Sequence, residues 1–394
     1  MEALYNSILV RLGEFMVREG SSYRAKLVSR LRESIARTLA KHGLRGEVIV
    51  RGRARIVVNN IDDERLLDYI SVLSRVFGVS SISPAVEIDY EFSEILGVME
   101  KLVVSDKPRS IRLVVEGEPG IRRSLLVKAL TAYLVNTYGL YINLEKPDAE
   151  YIVEVREGKA YIMRERVEGP GGLPYGVEGC LVVLFSGGVD SMLATWSIMK
   201  RGVEPIILYN SLGNYWSIEA HKRFYEALDK IYGYIPWDYV KVYITRGLEK
   251  LIAQADIPDR LRCLLCKSLM YNVASRVADR EKCLGIATGE AIGQVASQTL
   301  SNLYLLSRTI DKPVYRPLSS MDKIEIIRYA DKLGFSTLSR SVGQCMLKPA
   351  YPETNATMRD YELIMRIIRE YSGALDEVVD NAEVIIYKGS GNVS

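Results

Sequence analysis

Histidine is almost absent from this chain: only His42 and His221 occur in 394 residues. Two are too few for a histidine-based metal site or a catalytic triad, and His221, near Trp216 on an expected helix, reads as structural. Cysteine is scarce as well. The five residues Cys180, Cys263, Cys266, Cys283 and Cys345 are an odd number in a chain with no secretory context, so a disulfide framework is not expected. Cys180 and Cys283 fall in no motif and are expected to pack as small buried side chains. Long apolar runs are also missing. Stretches such as Leu181 to Phe185 are interrupted within a few residues by glycine or charge, far short of the roughly 20 residues that cross a bilayer. The start, Met1-Glu2-Ala3-Leu4-Tyr5, has neither the basic nor the apolar region of a secretory signal. The expectation is a cytoplasmic chain with no membrane partner. The tryptophans Trp196, Trp216 and Trp237 are expected in the core rather than as base-stacking platforms.

Net charge is only +3, with 48% hydrophobic and 26% charged residues, a globular composition. The average conceals an asymmetry. Residues 1–60 hold 12 basic and 5 acidic side chains, a net +7, which leaves −4 for the other 334. A basic end fits a module that faces phosphates, although arginines on an exposed helix face would give the same count.

The length suits two or three folded units. Ser7 to Leu12 reads as a strand. Tyr23 to His42 has Leu27, Leu31, Ile35 and Leu39 at steps of four, an amphipathic helix that Gly43 stops. Two β-rich runs broken at Gly52, a helix opened by Asp62-Asp63-Glu64 and a last strand from Val79 to Ile82 complete a ferredoxin-like α+β order. A second unit follows, with a strand from Ser110 to Val115, a helix from Gly120 to Tyr138, and a hairpin of Ala149 to Val155 with Lys159 to Glu165. Arg109, Arg112, Arg122, Arg123 and Lys128 again concentrate positive charge. The glycine-rich stretch 169–179 (GPGGLPYGVEG) reads as a linker. Beyond it, apolar strands alternate with helices, which argues for a doubly wound parallel sheet whose ligands sit at the carboxyl ends of the strands.

At the end of the first such strand comes Ser186-Gly187-Gly188-Val189-Asp190-Ser191. Two glycines let the backbone turn tightly and expose consecutive N–H groups, and the helix N-terminus adds partial positive charge. Ser186 and Ser191 can donate hydroxyl hydrogen bonds to a pyrophosphate, and Asp190 can cap the helix or help to hold Mg²⁺. No Lys follows the glycines at the Walker spacing. The motif instead resembles the PP-loop of the ATP pyrophosphatase superfamily, whose members cleave ATP between its α and β phosphates.

Two later segments refine this reading. Cys263 and Cys266 form a CxxC pair, with Cys345 some eighty residues on; spacing alone leaves a redox pair, half a zinc site, buried packing or an iron–sulfur cluster with one open iron all standing. The run Thr288-Gly289-Glu290-Ala291-Ile292-Gly293-Gln294-Val295-Ala296-Ser297-Gln298-Thr299 brings polar groups to the sheet edge. Together with Arg316-Pro317, Asp322-Lys323, Gly343-Gln344-Cys345 and GGLPxGxxG before the loop, it resembles the tRNA 4-thiouridine synthetase family, the ThiI-type tRNA sulfurtransferases. Phe77 to Pro84 is similar to that family's junction between its first two domains.

The resemblance covers nearly the whole chain and implies an N-terminal ferredoxin-like domain (1–84), a THUMP RNA-binding domain (85–168), a linker (169–179) and a PP-loop domain (180–394). It implies tRNA as partner and ATP with Mg²⁺ for adenylating a uridine, at position 8. Leu184, Phe185, Tyr209, Asn210, Lys267, Gly289 and Gln298 match the family's ATP-contacting positions, beside Ser186, Gly187, Gly188 and Ser191 of the loop. Asp190 matches the essential aspartate and Cys345 the sulfur-transferring cysteine. Many bacterial members add a rhodanese domain; this chain has no cysteine after Cys345 and is expected to take sulfur another way, from a cysteine desulfurase persulfide or from sulfide. Members without that domain, archaeal ones especially, share the CxxC. In some of them Cys263, Cys266 and Cys345 correspond to ligands of a labile cluster, [4Fe–4S] or [3Fe–4S]. The cluster is preferred here over a Cys345 persulfide resolved by Cys263 or Cys266. A homodimer and a role in thiamine thiazole synthesis stay open. So do another PP-loop tRNA-modifying pyrophosphatase and a sulfur carrier without adenylation.

Overall fold

In the computed structural model, residues 5–17, 21–52, 55–212, 218–335, 345 and 347–389 are described. They divide into two compact units, Met1–Pro174 and Tyr175–Ser394. Trp216, Gly343 and Gln344 lie outside the described residues.

The first unit opens with the fully buried strand β1 (Ser7–Leu12). Helix α1 (Ser21–Lys41) turns Leu27, Leu31, Ile35 and Leu39 into the core, as their spacing requires. The hairpin β2 (Glu47–Arg51) and β3 (Arg55–Asn59) pairs onto β1, and α2 (Leu66–Leu73) follows a turn capped by the Asp62 carboxylate. Strand β4 (Val79–Asp89) is longer than the sequence suggests. Its first part pairs with β1 and its last four residues pair with β8 (Lys159–Met163). Between them lie α3 (Phe92–Asp106), β5 (Ser110–Gly117), α4 (Arg123–Tyr138), β6 (Tyr141–Ile142) and β7 (Ala149–Arg156); β9 (Val167–Glu168) follows. The result is one nine-stranded sheet, ordered β2-β3-β1-β4-β8-β7-β5-β6 with β9 beside β4. A division after residue 84 therefore cuts through β4.

The glycine-rich stretch is tied down rather than loose. Gly169 N–H donates to Ser80 O at 2.9 Å, Gly171 N–H to Val79 O at 2.8 Å and Gly78 N–H to Gly171 O at 2.8 Å. Two of the N-terminal arginines, Arg11 and Arg55, turn inward. The fully buried Glu154 carboxylate meets Arg11 at 3.3 Å, Arg55 at 2.8 Å and Arg156 at 2.6 Å. Burial lowers the Arg11 pKa to about 10 against the pull of Glu154. Arg30 and Arg37 share Glu33 on α1.

The second unit is the expected parallel α/β layer. Strands β10 (Cys180–Leu184), β11 (Glu204–Asn210), β12 (Val240–Thr245), β13 (Ile286–Ala287), β14 (Val314–Tyr315) and β15 (Glu383–Tyr387) run in the order β14-β13-β10-β11-β12-β15, and only β15 is antiparallel to its neighbour. The helices are α5 (Val189–Lys200), α6 (Ile218–Tyr232), α7 (Leu248–Gln254), α8 (Arg262–Arg280), α9 (Leu300–Ser307), α10 (Lys323–Lys332), α11 (Met358–Glu370) and α12 (Ser372–Asp380). The order turns back at β10, so the loop after β10 opens at the switch point where α/β sheets hold ligands. Trp196 and Trp237 are buried as expected.

One expectation fails outright. Cys180 and Cys283 are not separate packed thiols but a disulfide, with their Cα atoms 4.9 Å apart. Parallel pairing of β10 with β13 carries the start of one strand beside the turn that leads into the other, and Leu284 N–H donates to Cys180 O at 3.2 Å. No spacing rule reveals a pairing made by sheet order.

Candidate active site

The loop after β10 is held by contacts that only glycine permits. Gly187 has φ +75°, and a Cβ there would lie 2.8 Å from the Phe224 Cα on α6. Gly188 is the extended N-cap of α5, and no side chain caps that helix, so Asp190 does not act as a cap. The loop hydroxyls bond the loop's own backbone. Ser186 Oγ accepts from Gly188 N–H at 3.3 Å, and Ser191 Oγ donates to Gly188 O at 2.8 Å. Arg223, a residue that no motif marked, donates through Nε to Gly187 O at 3.2 Å.

Asp190 faces outward from the first turn of α5. Lys323 Nζ lies 2.6 Å from its Oδ1, and Gln294 Nε2 donates to its Oδ2 at 3.2 Å. Lys323 begins α10 behind the Asp322 capping box, so the Asp322-Lys323 pair both starts a helix and delivers a cation to the loop. Gly289 closes the other side; a Cβ there would stand 2.7 Å from the Asp190 carbonyl carbon. The buried Oε1 atoms of Gln294 and Gln298 have no hydrogen-bond partner.

Leu184, Phe185, Ser186, Tyr209 and Asn210 line one cavity of about 90 Å³ with Leu208, Leu212 and Met270. Tyr209 stacks on Phe224 at 4.3 Å between ring centres, and burial pushes its phenol up to about 12. Asn210 accepts from Thr245 Oγ1 at 2.7 Å. His221, expected to be structural, stands edge-on to Tyr209 with its Nε2 3.2 Å from Ser211 Oγ, at the border of this cavity. One turn before Met270 on α8, Lys267 is paired at 2.7 Å with the buried Glu290.

Cys263 and Cys266 occupy the first turns of α8, and Cys345 packs on the same core. Burial raises both α8 thiols, Cys266 to about 12, and each is raised further by Cys345. Such thiols are protonated near neutrality. Soft thiolates suit iron and sulfur, yet among the described residues no three His, Cys, Asp or Glu side chains are grouped to hold a metal ion. The three thiols nevertheless lie within electrostatic reach of one another, since Cys345 raises both Cys263 and Cys266.

A parallel sheet with an SGGxDS turn at its switch point, an acidic residue on the following helix and a glycine-rich edge loop define a PP-loop nucleotide-binding domain. It follows a ferredoxin-like fold whose sheet continues into a second α+β module. A family model described as "Thiamine biosynthesis protein (ThiI)" matches residues 176–368, and a model of the "ThiI ferredoxin-like domain" matches residues 7–83. A "Probable tRNA sulfurtransferase" of Methanobrevibacter smithii is 30% identical over 390 residues, which span 96% of this chain and all of that one. One of the same description from Saccharolobus islandicus is 33% identical over 326 residues, 80% of this chain and 84% of its own. The chain belongs to this tRNA sulfurtransferase family. A solved structure described as a 4-thiouridine synthetase–RNA complex with bound ATP superposes with a TM-score of 0.85 at 26% identity, covering 97% of this chain and 99% of that one. No helix among the described residues is long and apolar enough to cross a membrane.

Proposed function

We propose that this chain adenylates a uridine of tRNA, at position 8, on O4 and then replaces that oxygen with sulfur to give 4-thiouridine. The SGGxDS turn carries the reading: Gly187 and Gly188 leave the backbone N–H groups at the start of α5 without a side-chain cap, which is an anion cradle. The cavity beside it, lined by Leu184, Phe185, Tyr209 and Asn210, would receive adenine. Gly289 lets the edge loop approach, and Gln298 offers a buried amide oxygen that has no partner in the protein. Residues 1–84 and 85–168 would hold the tRNA, a substrate that sets the reaction in the cytoplasm.

The uridine carbonyl oxygen is a poor leaving group. Transfer of AMP to it, with pyrophosphate departing, makes C4 electrophilic. Cradle N–H groups would stabilise the departing pyrophosphate, and Lys267 would face the α-phosphate. Asp190 and the unpartnered Gln294 Oε1 are hard oxygen donors that suit Mg²⁺, which when bound supplies further charge neutralisation.

Sulfur would arrive as a persulfide on Cys345, formed either when the Cys345 thiolate takes the outer sulfur of a cysteine desulfurase persulfide and the desulfurase cysteine leaves as thiolate, or when sulfide attacks Cys345 in a Cys263–Cys345 disulfide and the Cys263 thiolate leaves. Its terminal sulfur attacks C4, the C4–O bond breaks and AMP leaves, giving a Cys345–S–S–C4 linkage. A second thiolate attacks the Cys345 sulfur, the S–S bond breaks and 4-thiouridine leaves with its sulfur. Cys263 is the readier of the two for this step, because Cys266 is held at about 12. The resulting Cys263–Cys345 disulfide is reset by a dithiol reductant. The same persulfide would serve thiamine thiazole synthesis, in keeping with the description of the matching family model.

Asp190→Ala should abolish tRNA-dependent pyrophosphate release, and retained release would refute the loop assignment. Cys345→Ala should keep pyrophosphate release and lose 4-thiouridine; unimpaired thiolation would remove Cys345 from the reaction.

A further inference from the structure

A buried cluster beside the loop holds more positive charge than its own structure needs. Glu290 is 5% exposed and directly follows Gly289, the residue that packs against the Asp190 backbone. Its Oε1 accepts from Lys267 Nζ at 2.7 Å. Its Oε2 accepts from Arg316 Nε at 2.9 Å, from Thr288 Oγ1 at 3.0 Å and from the Tyr271 hydroxyl. Arg316 also donates through a second guanidinium nitrogen to the Tyr271 oxygen at 3.1 Å. Burial opposes the charged carboxylate, but the two cations and the hydroxyls hold it at about 2.

Two permanent cations thus share one carboxylate. A neutral ion pair needs one, and a surplus positive charge in a half-buried place is costly unless an anion completes it. The placement indicates which anion. Lys267 comes from α8, whereas Arg316 and Glu290 follow β14 and β13, the two strands next to β10 on that side of the sheet. Both cations therefore meet at Glu290, at the carboxyl ends of these strands and next to Gly289, which packs against the Asp190 backbone. Lysine uses one of three donors on Glu290, and the guanidinium fork suits two-point contact with phosphate oxygens.

We propose that Glu290 is a positioning residue that holds Lys267 and Arg316 as a paired grip for the phosphates of ATP, with Arg316 touching the nucleotide. This rests on the adenylation reading above. The carboxylate aims both cations without neutralising them.

The test compares two probes, α,β-methylene-ATP and adenosine, by calorimetry. In Arg316→Gln the affinity for the ATP analogue should fall about tenfold while that for adenosine stays the same, since only the former carries phosphates. In Glu290→Gln, which keeps shape but not charge, kcat for tRNA-dependent pyrophosphate release should fall on the order of 100-fold through misplacement of Lys267. Glu290→Asp should recover part of that loss. Equal losses for both probes in Arg316→Gln, or unchanged affinity for both, would overturn the grip. If Glu290→Gln does not fold, Arg316→Gln and Arg316→Lys decide alone, with the lysine expected to fall between glutamine and arginine. Wild-type protein that releases no pyrophosphate with tRNA would sink the adenylation reading, whereas active wild-type protein with indifferent variants would sink only the grip.

Discussion

Replacing both Cys180 and Cys283 by serine removes the crosslink between residues 103 apart in sequence. In the chain-entropy account, a loop of about 100 residues loses enough denatured-state freedom to stabilise the native state by about 4.7 kcal/mol at 25 °C. The closed loop lies wholly within the Tyr175–Ser394 unit. For a unit of that size each kcal/mol moves the melting temperature by about 2–4 °C, so a fall of roughly 10–20 °C is expected. Differential scanning calorimetry of wild-type and double-variant protein measures it, and a difference within about 2 °C would refute the reasoning. A labelling experiment tests the bond itself. Under denaturing, non-reducing conditions iodoacetamide should mark Cys263, Cys266 and Cys345 alone, and all five cysteines after reduction. Five labels without reduction would remove the disulfide.

Gly289→Ala places a methyl 2.7 Å from the Asp190 carbonyl carbon, so affinity for an ATP analogue should fall at least tenfold by calorimetry, whereas Gly373→Ala on α12, with no atom near its Cβ position and no positive φ, should leave it unchanged. Glu290 at about 2 against an ordinary 4.5 contributes stability that is complete above about pH 4.5 and lost as pH falls toward 2, roughly 3 kcal/mol in all. The stability gap between wild type and Glu290→Gln should accordingly close by more than half at pH 3 in urea titrations; a gap constant from pH 7 to pH 3 contradicts this. Glu154→Ala strands the buried Arg11 and should cost the first unit about 3–5 kcal/mol, seen as an earlier unfolding transition while the second unit melts unchanged. In native protein Cys263 should alkylate faster than Cys266, and equal rates would count against Cys263 as the resolving thiol.

Local periodicity made α1, β1 and the alternating strands of the second unit readable, because each buries a face that its own spacing defines. The SGGxDS turn was readable for the same reason: glycine, hydroxyl and carboxylate act within six consecutive residues. What sequence hides is made by sheet order. The Cys180–Cys283 bond, the meeting of Lys323 with Asp190 and the four-way contact of Glu290 each join residues brought together only when β13 and β14 lie beside β10. Composition could not say which basic residues of the first sixty turn inward: Arg11 and Arg55 converge on a glutamate nearly a hundred residues or more away in sequence. Arg316-Pro317 was visible as a motif without a role, since its partner Glu290 belongs to another motif.

Strand β4 has a consequence for how the N-terminal half can be taken apart. Its first residues are a sheet partner of β1 and its last four are a partner of β8, with no break in the chain between. A chain ending after residue 84 would keep nearly all of β1's pairing but lose β9 from the edge at Ser81 and Ile82, an invitation to aggregation. The two N-terminal modules therefore share one strand of a continuous sheet, which passes from β1 to β8 at residues 85 and 86. An exchange that keeps the β9 pairing would move both modules together, with its splice point after Gly171, beyond the last of these hydrogen bonds.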